Sequence, residues 1–414
     1  MIQNILKKQL ELITPNILEI EAETNKITHL VEKEIKKQNK KIKLFIGGSL
    51  AKKTLIKKQY YDVDIFFVFQ KEKGNMSDIA EKILKKCFKK IERIHGSRDY
   101  FLYKRNKTHF EFIPILKTNN PSQAKNITDL SPSHVFYVRK KLSKTPRLAR
   151  EIMLAKSFAH ACDAYGAESY ISGFSGYGIE CLVIYYRSFL KFIKEISKFK
   201  NKIILDPEKH YKNKGEILVN LNESKLNSPI ILVDPVFRER NVLASLSSET
   251  LEKLKHHSKK FLSKPSINFF NKQKLDLEKI KKEAKTKKAE LIIINTKTIN
   301  KKYDVAGAKL KKFFNFLSFN INKNFKLIKK GFDFNEDNLS ARNIFIIKKL
   351  EANIIRGPPA ERKESVIGFK KAHKNTFIKQ NVIYAREKPS NAKEFLKTFK
   401  TSNKKIAKDM GIVL

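Results

Sequence analysis

Two aspartates, one residue apart, stand at the start of a strongly apolar run. They are Asp62 and Asp64 in the segment DVDIFFVF. In an extended strand, residues i and i+2 point to the same face, so the two carboxylates project together. Like charges held close raise each other's pKa unless a cation lies between them. The pattern therefore favours a divalent metal site, and two such ions can clamp the oxygens of an in-line phosphoryl or nucleotidyl transfer.

A third carboxylate, Glu111, lies in the middle of the apolar segment THFEFIPIL. A charge among Phe110, Phe112 and Ile113 is costly to bury without a partner, so Glu111 could face the aspartate pair from a neighbouring strand. It could equally belong to an edge strand and point into water. The segment by itself leaves both interpretations open.

A glycine turn precedes the aspartates. Gly47, Gly48 and Ser49 follow the apolar segment KIKLFI. Glycines let the backbone approach phosphate oxygens, and the backbone N–H groups and the Ser49 hydroxyl can donate to them. Lys52 and Lys53 add positive charge one turn later. Each motif is weak alone, but a strand, a glycine-serine turn, a basic helix and carboxylate-bearing strands in this order predict a nucleotidyltransferase.

The elements that must position these residues form an α/β pattern over 1–145. Apolar residues spaced three and four apart predict an amphipathic helix over 16–37. The segments KIKLFI, DVDIFFVF and THFEFIPIL are typical of strands, the last one closed by Pro114, and a helix is predicted over 78–91.

The rest of the chain has two further regions. From 146 to 248 the pattern is helical, with one helix, RLAREIMLAKSFAHACDAYG, ending at Gly166 and a second, GIECLVIYYRSFLKFIKEISKFK, after the glycine-rich ISGFSGY. From 249 to 414, strands such as AELIIINT alternate with lysine-rich helices, and KIKKEAKTKKAE is typical of a solvated helix face. The predicted fold class is α/β (α+β), with domains at 1–145, 146–248 and 249–414.

The composition points to a polyanionic partner. The 414 residues include 87 Lys and Arg against 42 Asp and Glu, a formal net charge of +45. Nucleic acid is the commonest partner of so basic a protein. Part of the excess is attributed to drift in an AT-rich genome, because Lys, Ile, Asn and Phe are abundant and Trp is absent.

Cysteine usage and hydropathy bear on the compartment. The three cysteines are widely spaced and form no C-x-x-C pair, which argues against disulfides and zinc and favours a reducing compartment. No apolar run approaches the roughly 18 residues that a membrane span needs. We therefore expect a soluble, cytoplasmic protein.

Four sequence blocks that follow the first predicted domain, 1–145, occur in the same order as in one known protein family. They are AREIMLAKSFAHACDAYGAE, SGFSGYGIECLVIYYRSFL, DPVFRERNVLASLS and RGPPAERKESVIGFKKAH. With the glycine turn and the carboxylates, they resemble the archaeal-type (class I) CCA-adding enzymes, which build the 3′-terminal CCA of tRNA from CTP and ATP. The resemblance runs from about Phe45 to His373 and is loose in the N-terminal helix and around 278–330.

The resemblance implies a nucleotidyltransferase head with a small mixed sheet, a helical central domain that binds nucleotide and tRNA, and an α+β C-terminal region that binds tRNA. It implies a two-metal Mg²⁺ site at Asp62, Asp64 and Glu111. It also implies ATP, CTP and the acceptor arm and 3′ end of tRNA as partners, and dimers occur in the family. The implied nucleotide-binding residues are Gly48, Ser49, Lys52, His134, Lys156, Tyr165 and Arg240.

Four of these residues have simpler interpretations when taken singly. Tyr165 could be a core residue and Lys156 a surface lysine on the same long helix. His134 could be an ordinary helix-start histidine, and Arg240 a salt-bridge partner. In register with the flanking blocks, the nucleotide roles are favoured, with Arg240 near the incoming base and the RNA end.

Two positions depart from the family pattern. The family generally has Asp in place of Glu111 and usually Arg in place of Lys52. The longer glutamate could shift the metal, and lysine keeps the charge but loses the bidentate fork to phosphate. Two alternatives stay open: another RNA 3′-terminal nucleotidyltransferase, such as a poly(A) or poly(U) polymerase, and a non-catalytic RNA-binding relative. The bacterial-type (class II) enzyme is disfavoured because its Gly-Gly-x-Val-Arg-Asp signature is absent.

Overall fold

The computed structural model describes residues 1–71, 74–96, 98–272, 276–299, 303–350, 353–387 and 391–413. The chain divides into two compact units, Met1–Gln273 and Lys274–Leu414. The α/β class expected from the sequence is confirmed. The division into three domains stays a prediction.

The first unit opens with the head and continues into a largely helical region. The head elements are α1 (Ile2–Ile13), α2 (Ile17–Lys37), β1 (Ile42–Ile46), α3 (Gly48–Ala51), β2 (Tyr61–Phe69), α4 (Met76–Cys87), β3 (Glu92–Ile94), β4 (Tyr100–Arg105) and β5 (Thr108–Leu116), with 3₁₀ turns at Pro121–Gln123 and Ile127–Leu130. The elements that follow are α5 (Ser131–Lys144), α6 (Arg147–Ala161), α7 (Gly176–Tyr186), α8 (Phe189–Ser197), β6 (Ile203–Leu205), α9 (Lys214–Asn220), α10 (Glu223–Leu226), β7 (Ile230–Leu232), α11 (Ser248–Ser263) and a 3₁₀ turn at Ile267–Phe270.

The five head strands form one sheet in the order β1-β2-β5-β4-β3. β2 and β5 run parallel, and the other neighbouring pairs are antiparallel. Alternation along β2 buries Val63, Ile65 and Phe67 in a core shared with α2 and α4. Asp62 and Asp64 therefore lie on the opposite face of the sheet. The short strands β3 and β4 are absent from the sequence prediction.

The strand predicted to close at Pro114 continues to Leu116. Pairing with β4 stops at Phe112, whereas pairing with β2 continues past Pro114. Pro114 thus lies where only one neighbouring strand continues, an edge-like position that tolerates a residue without a backbone N–H. The helix predicted over 78–91 is α4, and both of its predicted ends were wrong. It begins earlier because the Asn75 side chain caps it by accepting from the Ser77 N–H at 3.0 Å, and it ends at Cys87 because Phe88 is extended.

Two helix predictions in the central region were wrong. The first helix, α6, ends at Ala161 rather than Gly166, because Asp163 adopts a left-handed φ of 54°. The second predicted helix is two helices, α7 and α8, separated by Arg187 at φ 62°. Ser188 caps α8 by accepting from the Lys191 N–H at 3.1 Å. These breaks turn the chain without any proline, which is why the apolar periodicity concealed them.

The second unit is built on two antiparallel sheets. Its elements are α12 (Leu277–Thr286), β8 (Glu290–Thr298), α13 (Tyr303–Asn324), β9 (Phe325–Asn335), β10 (Ser340–Lys349), β11 (Asn353–Pro359), α14 (Lys363–Ala372), β12 (Thr376–Lys379), β13 (Val382–Glu387), α15 (Ala392–Ser402), α16 (Lys404–Asp409) and β14 (Ile412–Val413). The sheets have the orders β14-β8-β10-β9 and β11-β13-β12. The strand predicted for AELIIINT is confirmed as β8, and α12 buries only Ala284, as a solvated helix face should.

Among the described residues, no helix has both the length and the apolar character that crossing a membrane would require.

Candidate active site

The glycine turn lies directly against the strand that carries the aspartates. The Gly47 N–H donates to the Asp64 carbonyl oxygen at 2.9 Å, and Gly48 begins α3 with a φ of 60°. A Cβ at Gly48 would overlap Asp64 Oδ2. Glycine suits both this φ and this close approach. The turn therefore sets the backbone N–H groups at the start of α3 beside the Asp64 carboxylate.

A cavity of about 210 Å³ opens beside this turn. Its wall combines the head with α6 and α7. Seven of the ten residues predicted for the site line it: Gly48, Ser49, Lys52, Asp62, Asp64, Lys156 and Tyr165. The other three, Glu111, His134 and Arg240, lie outside this wall.

The two aspartates sit in different environments. Asp62 is 52% exposed, with Lys58 Nζ 3.9 Å from its Oδ2. Asp64 is half-buried, and burial raises its pKa to about 6, although Lys52 acts to lower it while Asp62 raises it further. A carboxylate pair of this kind holds negative charge that the nearby lysines do not fully neutralise.

Glu111 lies on the same face of the sheet as the aspartates. The parallel register of β2 and β5 places Asp64 beside Glu111 and Asp62 beside His109, and neighbours in a parallel pair share a face. β5 is the central strand of the five. The interpretation of Glu111 as an edge-strand residue is therefore wrong, although Glu111 does not reach the cavity wall.

The cavity offers two strand-borne carboxylates, Asp62 and Asp64, to a divalent cation. In the part of the chain that the structure describes, no group of three or more His, Cys, Asp and Glu side chains is gathered closely enough to hold a metal by itself. Mg²⁺-like ions, however, commonly take one or two carboxylates and complete their shell with water and substrate phosphate. Asp62 and Asp64 on one face, with the raised pKa of Asp64, fit that arrangement.

A buried charge cluster forms another part of the cavity wall. Lys52 Nζ donates to Glu180 Oε2 at 2.7 Å, and Lys156 Nζ donates to Glu180 Oε1 at 2.8 Å. The Thr54 hydroxyl donates to Glu180 Oε1 at 3.0 Å and accepts from Lys156 at 2.9 Å. Lys156 is therefore not a surface lysine, because only 3% of the residue is exposed.

The pKa shifts in this cluster follow from its burial and its charges. Burial would raise the pKa of Glu180, but Lys156 and Lys52 outweigh it and bring the pKa down to about 2. Burial lowers the pKa of Lys156, and Glu180 partly restores it. With both lysines protonated the cluster carries a net positive charge, which suits a phosphate chain in the cavity.

A second buried carboxylate, Asp234, contacts two of the predicted residues that lie outside the cavity wall, His134 and Arg240. Arg240 Nη1 donates to Asp234 Oδ2 at 2.8 Å, and His134 Nε2 lies 3.0 Å from the same oxygen. The Tyr177 hydroxyl donates to Asp234 Oδ1 at 3.1 Å. Because Tyr177 also lines the cavity and stacks on His134 with ring centroids 4.2 Å apart, this cluster adjoins the site.

Charge is balanced around Asp234. Burial opposes ionisation, but the bond with His134 and the charge of Arg240 bring the pKa of Asp234 down to about 2. Burial lowers the pKa of His134, although Asp234 counteracts it, so the imidazole is neutral near pH 7. Arg240 does take part in a salt bridge, as its simpler interpretation held, and it still borders the site.

Tyr165 stands at the cavity edge in a short β-bridge with Phe174. It does not share a helix with Lys156, because α6 ends before it. Its ring stacks on His160 with centroids 3.9 Å apart. A Cβ at Gly176 would lie 2.8 Å from the Tyr165 hydroxyl, so the glycine that begins α7 makes room for that hydroxyl.

Sequence reasoning missed Glu180, Asp234 and Tyr177. A signal for two of them was present. Glu180 is the only acidic residue of the apolar helix GYGIECLVIYY, and Asp234 interrupts the apolar run IILVDPVF. A lone charge in such surroundings is almost never fully buried unless paired, so each position indicated a buried partner.

The strand-borne carboxylates, the glycine turn and the cationic wall are the features of a nucleotidyltransferase. Residues 30–133 match the family model described as "Nucleotidyltransferase domain", and residues 150–271 match "tRNA nucleotidyltransferase, second domain". These matches agree with the fold class and the enzyme class expected from the sequence.

The similar proteins of known function belong to one kind of nucleotidyltransferase. The chain is 42% identical over 206 residues to the CCA-adding enzyme of Nanoarchaeum equitans, which is 49% of this chain and 51% of that one. It is 28% identical to the CCA-adding enzyme of Methanocaldococcus jannaschii over 93% of this chain and 87% of that one. The match to the CCA-adding enzyme of Saccharolobus islandicus is 30% identical over 65% of this chain and 64% of that one. The chain is thus similar to CCA-adding enzymes of archaea, to one of them over most of its length.

Solved structures support the fold alone. An RNA terminal U-transferase superimposes with a TM-score of 0.51 at 13% identity, over 66% of this chain and 98% of that one. A poly(U) polymerase with Mg and 3′-dATP bound gives a TM-score of 0.52 at 13% identity over the same shares. At such identities the likeness shows a shared fold and no more.

Proposed function

We propose that this chain adds the 3′-terminal CCA to tRNA from CTP and ATP, releasing pyrophosphate, and repairs damaged CCA ends in the cytoplasm. One observation carries the proposal: a single cavity is lined both by Asp62 and Asp64 and by the Lys52–Lys156–Glu180 cluster. This cavity belongs to a chain that is similar over 93% of its length to a CCA-adding enzyme.

The cationic wall binds the triphosphate. The backbone N–H groups at the start of α3 and the Ser49 hydroxyl donate to phosphate oxygens, as helix N-termini do. Lys52 and Lys156 neutralise the same oxygens while Glu180 keeps both ammonium groups in place. Tyr165, at the cavity edge, supplies a hydroxyl beside them. Holding the triphosphate in one orientation fixes which phosphorus faces the aspartates.

The carboxylates Asp62 and Asp64 act in the nucleotidyl-transfer step. Asp62 and Asp64, with Glu111 in register beside Asp64, would hold Mg²⁺. When bound, Mg²⁺ would neutralise triphosphate charge and make the RNA 3′-hydroxyl a better nucleophile. The Asp64 backbone is held by the pairing of β2 and by the bond from the Gly47 N–H to the Asp64 carbonyl oxygen, which fixes the point from which its carboxylate projects.

The Asp234 cluster meets the nucleotide base and the RNA end. A guanidinium has five N–H donors, so Arg240 can keep its bond to Asp234 and still donate to a base. The Arg240 side chain is 22% exposed, which leaves it accessible from the site. The neutral His134 ring and Tyr177 provide a rigid border for the base.

The positive charge of the chain would favour the binding of tRNA. With a formal net charge of +45, the chain would hold the acceptor arm mainly through phosphates and A-form shape. A homodimer would match the dimers of the family.

The test is nucleotide addition to a tRNA transcript that lacks its CCA end, with CTP, ATP and Mg²⁺. We expect three additions, C, C and A, and then a stop. A long homopolymer would show instead that the chain is a poly(A) or poly(U) polymerase. Absence of pyrophosphate release from wild-type protein would show a non-catalytic RNA-binding relative.

A matched variant tests the carboxylate assignment. Asp64→Asn keeps the shape of the side chain and removes its charge, so addition should be lost while tRNA binding in a gel-shift assay is kept. Normal CMP incorporation by this variant would refute the metal-binding role of Asp64.

A further inference from the structure

An aromatic stack stands beside the carboxylates and has no part in the chemistry above. The rings of Tyr60 and His109 have centroids 4.7 Å apart and planes inclined by 15°. Tyr60 is 44% exposed, whereas the His109 side chain is 22% exposed. The stack therefore offers solvent the tyrosine ring, supported from behind by the imidazole.

The stack lies on the outer side of Asp62. Asp62 Oδ2 faces Lys58 Nζ at 3.9 Å, and Lys58 lines the cavity. Asp62 Oδ1 faces His109 Nδ1 at 3.8 Å, and neither His109 nor Tyr60 belongs to the cavity wall. The two oxygens of one carboxylate thus separate the cavity from the aromatic stack.

In an in-line displacement, the leaving group and the attacking hydroxyl lie on opposite sides of the reacting phosphorus. The leaving pyrophosphate lies with the cations Lys52 and Lys156 inside the cavity. The attacking hydroxyl must approach the phosphorus from the side opposite the leaving group. Tyr60, outside the cavity and next to Asp62, stands where the nucleotide that carries this hydroxyl would enter.

We propose that the Tyr60–His109 stack is a platform for the 3′-terminal base of the RNA substrate. The proposal rests on the proposed nucleotidyl transfer and adds a binding subsite to it. The RNA base stacks on the exposed face of Tyr60, and its ribose then carries the 3′-hydroxyl toward Asp62. Lys58, at the junction of stack and cavity, contacts the RNA phosphate.

Stacking suits this substrate because the terminal base changes during the reaction. The RNA end presents a different base at successive additions, so hydrogen-bond readout of any one base would hinder the others. Every base has a flat π face, and stacking on an aromatic ring is therefore tolerant of sequence. A half-exposed tyrosine held by a second ring meets this requirement.

The chain contains no tryptophan, which allows a direct binding test. The variant Tyr60→Trp places the sole indole on the platform, and a stacked base quenches its fluorescence. We expect quenching by an RNA ending in CC and little quenching by the same RNA with an abasic 3′-terminal ribose. CTP alone should leave the signal unchanged; equal quenching by CTP would assign the ring to the incoming nucleotide and overturn the proposal.

A paired measurement uses the wild-type ring. The wild-type protein should prefer the intact RNA end over the abasic end by about 5- to 150-fold in KM, the range that base–aromatic stacking gives. In Tyr60→Ala this preference should fall toward one, with KM for CTP unchanged. Tyr60→Phe should keep it, and so should Tyr185→Ala, which removes a tyrosine of similar exposure, 43%, from another surface.

The two proposals fail in distinguishable ways. If wild-type protein adds CCA but Tyr60→Ala keeps the full preference for an intact end, the platform is refuted and the enzymatic proposal stands. If wild-type protein adds nothing, the enzymatic proposal fails, and the indole signal still reports whether an RNA end binds there. Because Tyr60 is half-exposed, these variants should unfold at the wild-type temperature.

Discussion

Two buried carboxylates organise the walls of the site, and they differ in the charge around them. The side chains of Glu180 and Asp234 have no exposed surface. Glu180 accepts from two lysines, Lys52 and Lys156, so its cluster retains positive charge. Asp234 faces the single guanidinium of Arg240 and a neutral imidazole, so its charges balance. The first arrangement suits a polyanion, and the second suits an uncharged base.

The two clusters also differ in what they connect. The Glu180 cluster joins α7 to α6 through Lys156 and to the head through Lys52 and Thr54. The Asp234 cluster joins the loop after β7 to the start of α5 through His134. Breaking the first should loosen the head from α6 and α7, whereas breaking the second should loosen α5 from the loop after β7.

The largest effect is expected from Glu180→Gln. The variant leaves Lys52 and Lys156 buried without a counter-charge, and removing one partner of a buried ion pair costs about 3–5 kcal/mol. Urea denaturation should show a correspondingly lower midpoint. The double variant Glu180→Gln/Lys156→Met should recover part of the loss, because it also removes a stranded charge. An unchanged midpoint for Glu180→Gln would mean that the cluster does not hold the fold together.

Acid should lower the free energy of unfolding by protonating Glu180. The pKa of Glu180 is lowered from 4.5 to about 2 in the folded state, so this carboxylate stabilises the fold above its unfolded pKa and loses that contribution as pH falls from about 4.5 to 2. The loss should be on the order of 3 kcal/mol. Urea midpoints measured from pH 6 to pH 3 should fall more for wild-type protein than for Glu180→Gln; parallel curves would contradict the assignment.

A structural feature could be predicted from the sequence where it depends on neighbouring residues, and could not be predicted where it depends on residues far apart in the chain. The spacing of Asp62 and Asp64 placed both on one face because strand geometry has a period of two residues. The partnership of Lys52 with Glu180 joins residues 128 positions apart, and no local pattern predicts which lysine meets a buried glutamate. The helix breaks at Asp163 and Arg187 use left-handed backbone at residues other than glycine, so neither break is marked by a glycine or a proline at its own position.

The position of the Glu111 strand within the sheet also could not be predicted from its own segment. Its segment could be recognised as a strand, but whether that strand was central or at an edge depended on pairing with β4, which the sequence did not reveal. The resemblance to a family supplied His134 and Arg240 as site residues. It did not supply Asp234, the side chain that brings them together.

A smaller effect, on base recognition, is expected from Asp234→Asn. Asparagine keeps an acceptor for Tyr177 but loses the charge that pairs with Arg240, so stability should fall by about 1–3 kcal/mol. The ratio of kcat/KM for CTP to that for ATP should change. Inhibition by inorganic triphosphate, which has no base, should not.

The matched control for this comparison is Lys156→Met, which removes a cation from the other cluster. Inhibition by inorganic triphosphate should weaken by about 10- to 150-fold in Lys156→Met, as expected for a lost charge-assisted hydrogen bond. If Asp234→Asn weakened triphosphate inhibition as much as Lys156→Met does, the two clusters would not divide phosphate and base between them.

The smallest effect is expected from Arg240→Lys. Lysine keeps the positive charge beside Asp234, and the Arg240 side chain is already 22% exposed, so the free energy of unfolding should change by less than about 1 kcal/mol. Lysine lacks the planar fork that lets arginine hold a carboxylate and a base together. Selection between CTP and ATP should therefore weaken several-fold while tRNA affinity and triphosphate inhibition stay at wild-type levels. Because this variant keeps the charge and removes the planar set of five N–H donors, unaltered selection between CTP and ATP would mean that Arg240 acts through its charge alone. The Asp234 cluster would then act on the substrate in the same way as the Glu180 cluster, through positive charge.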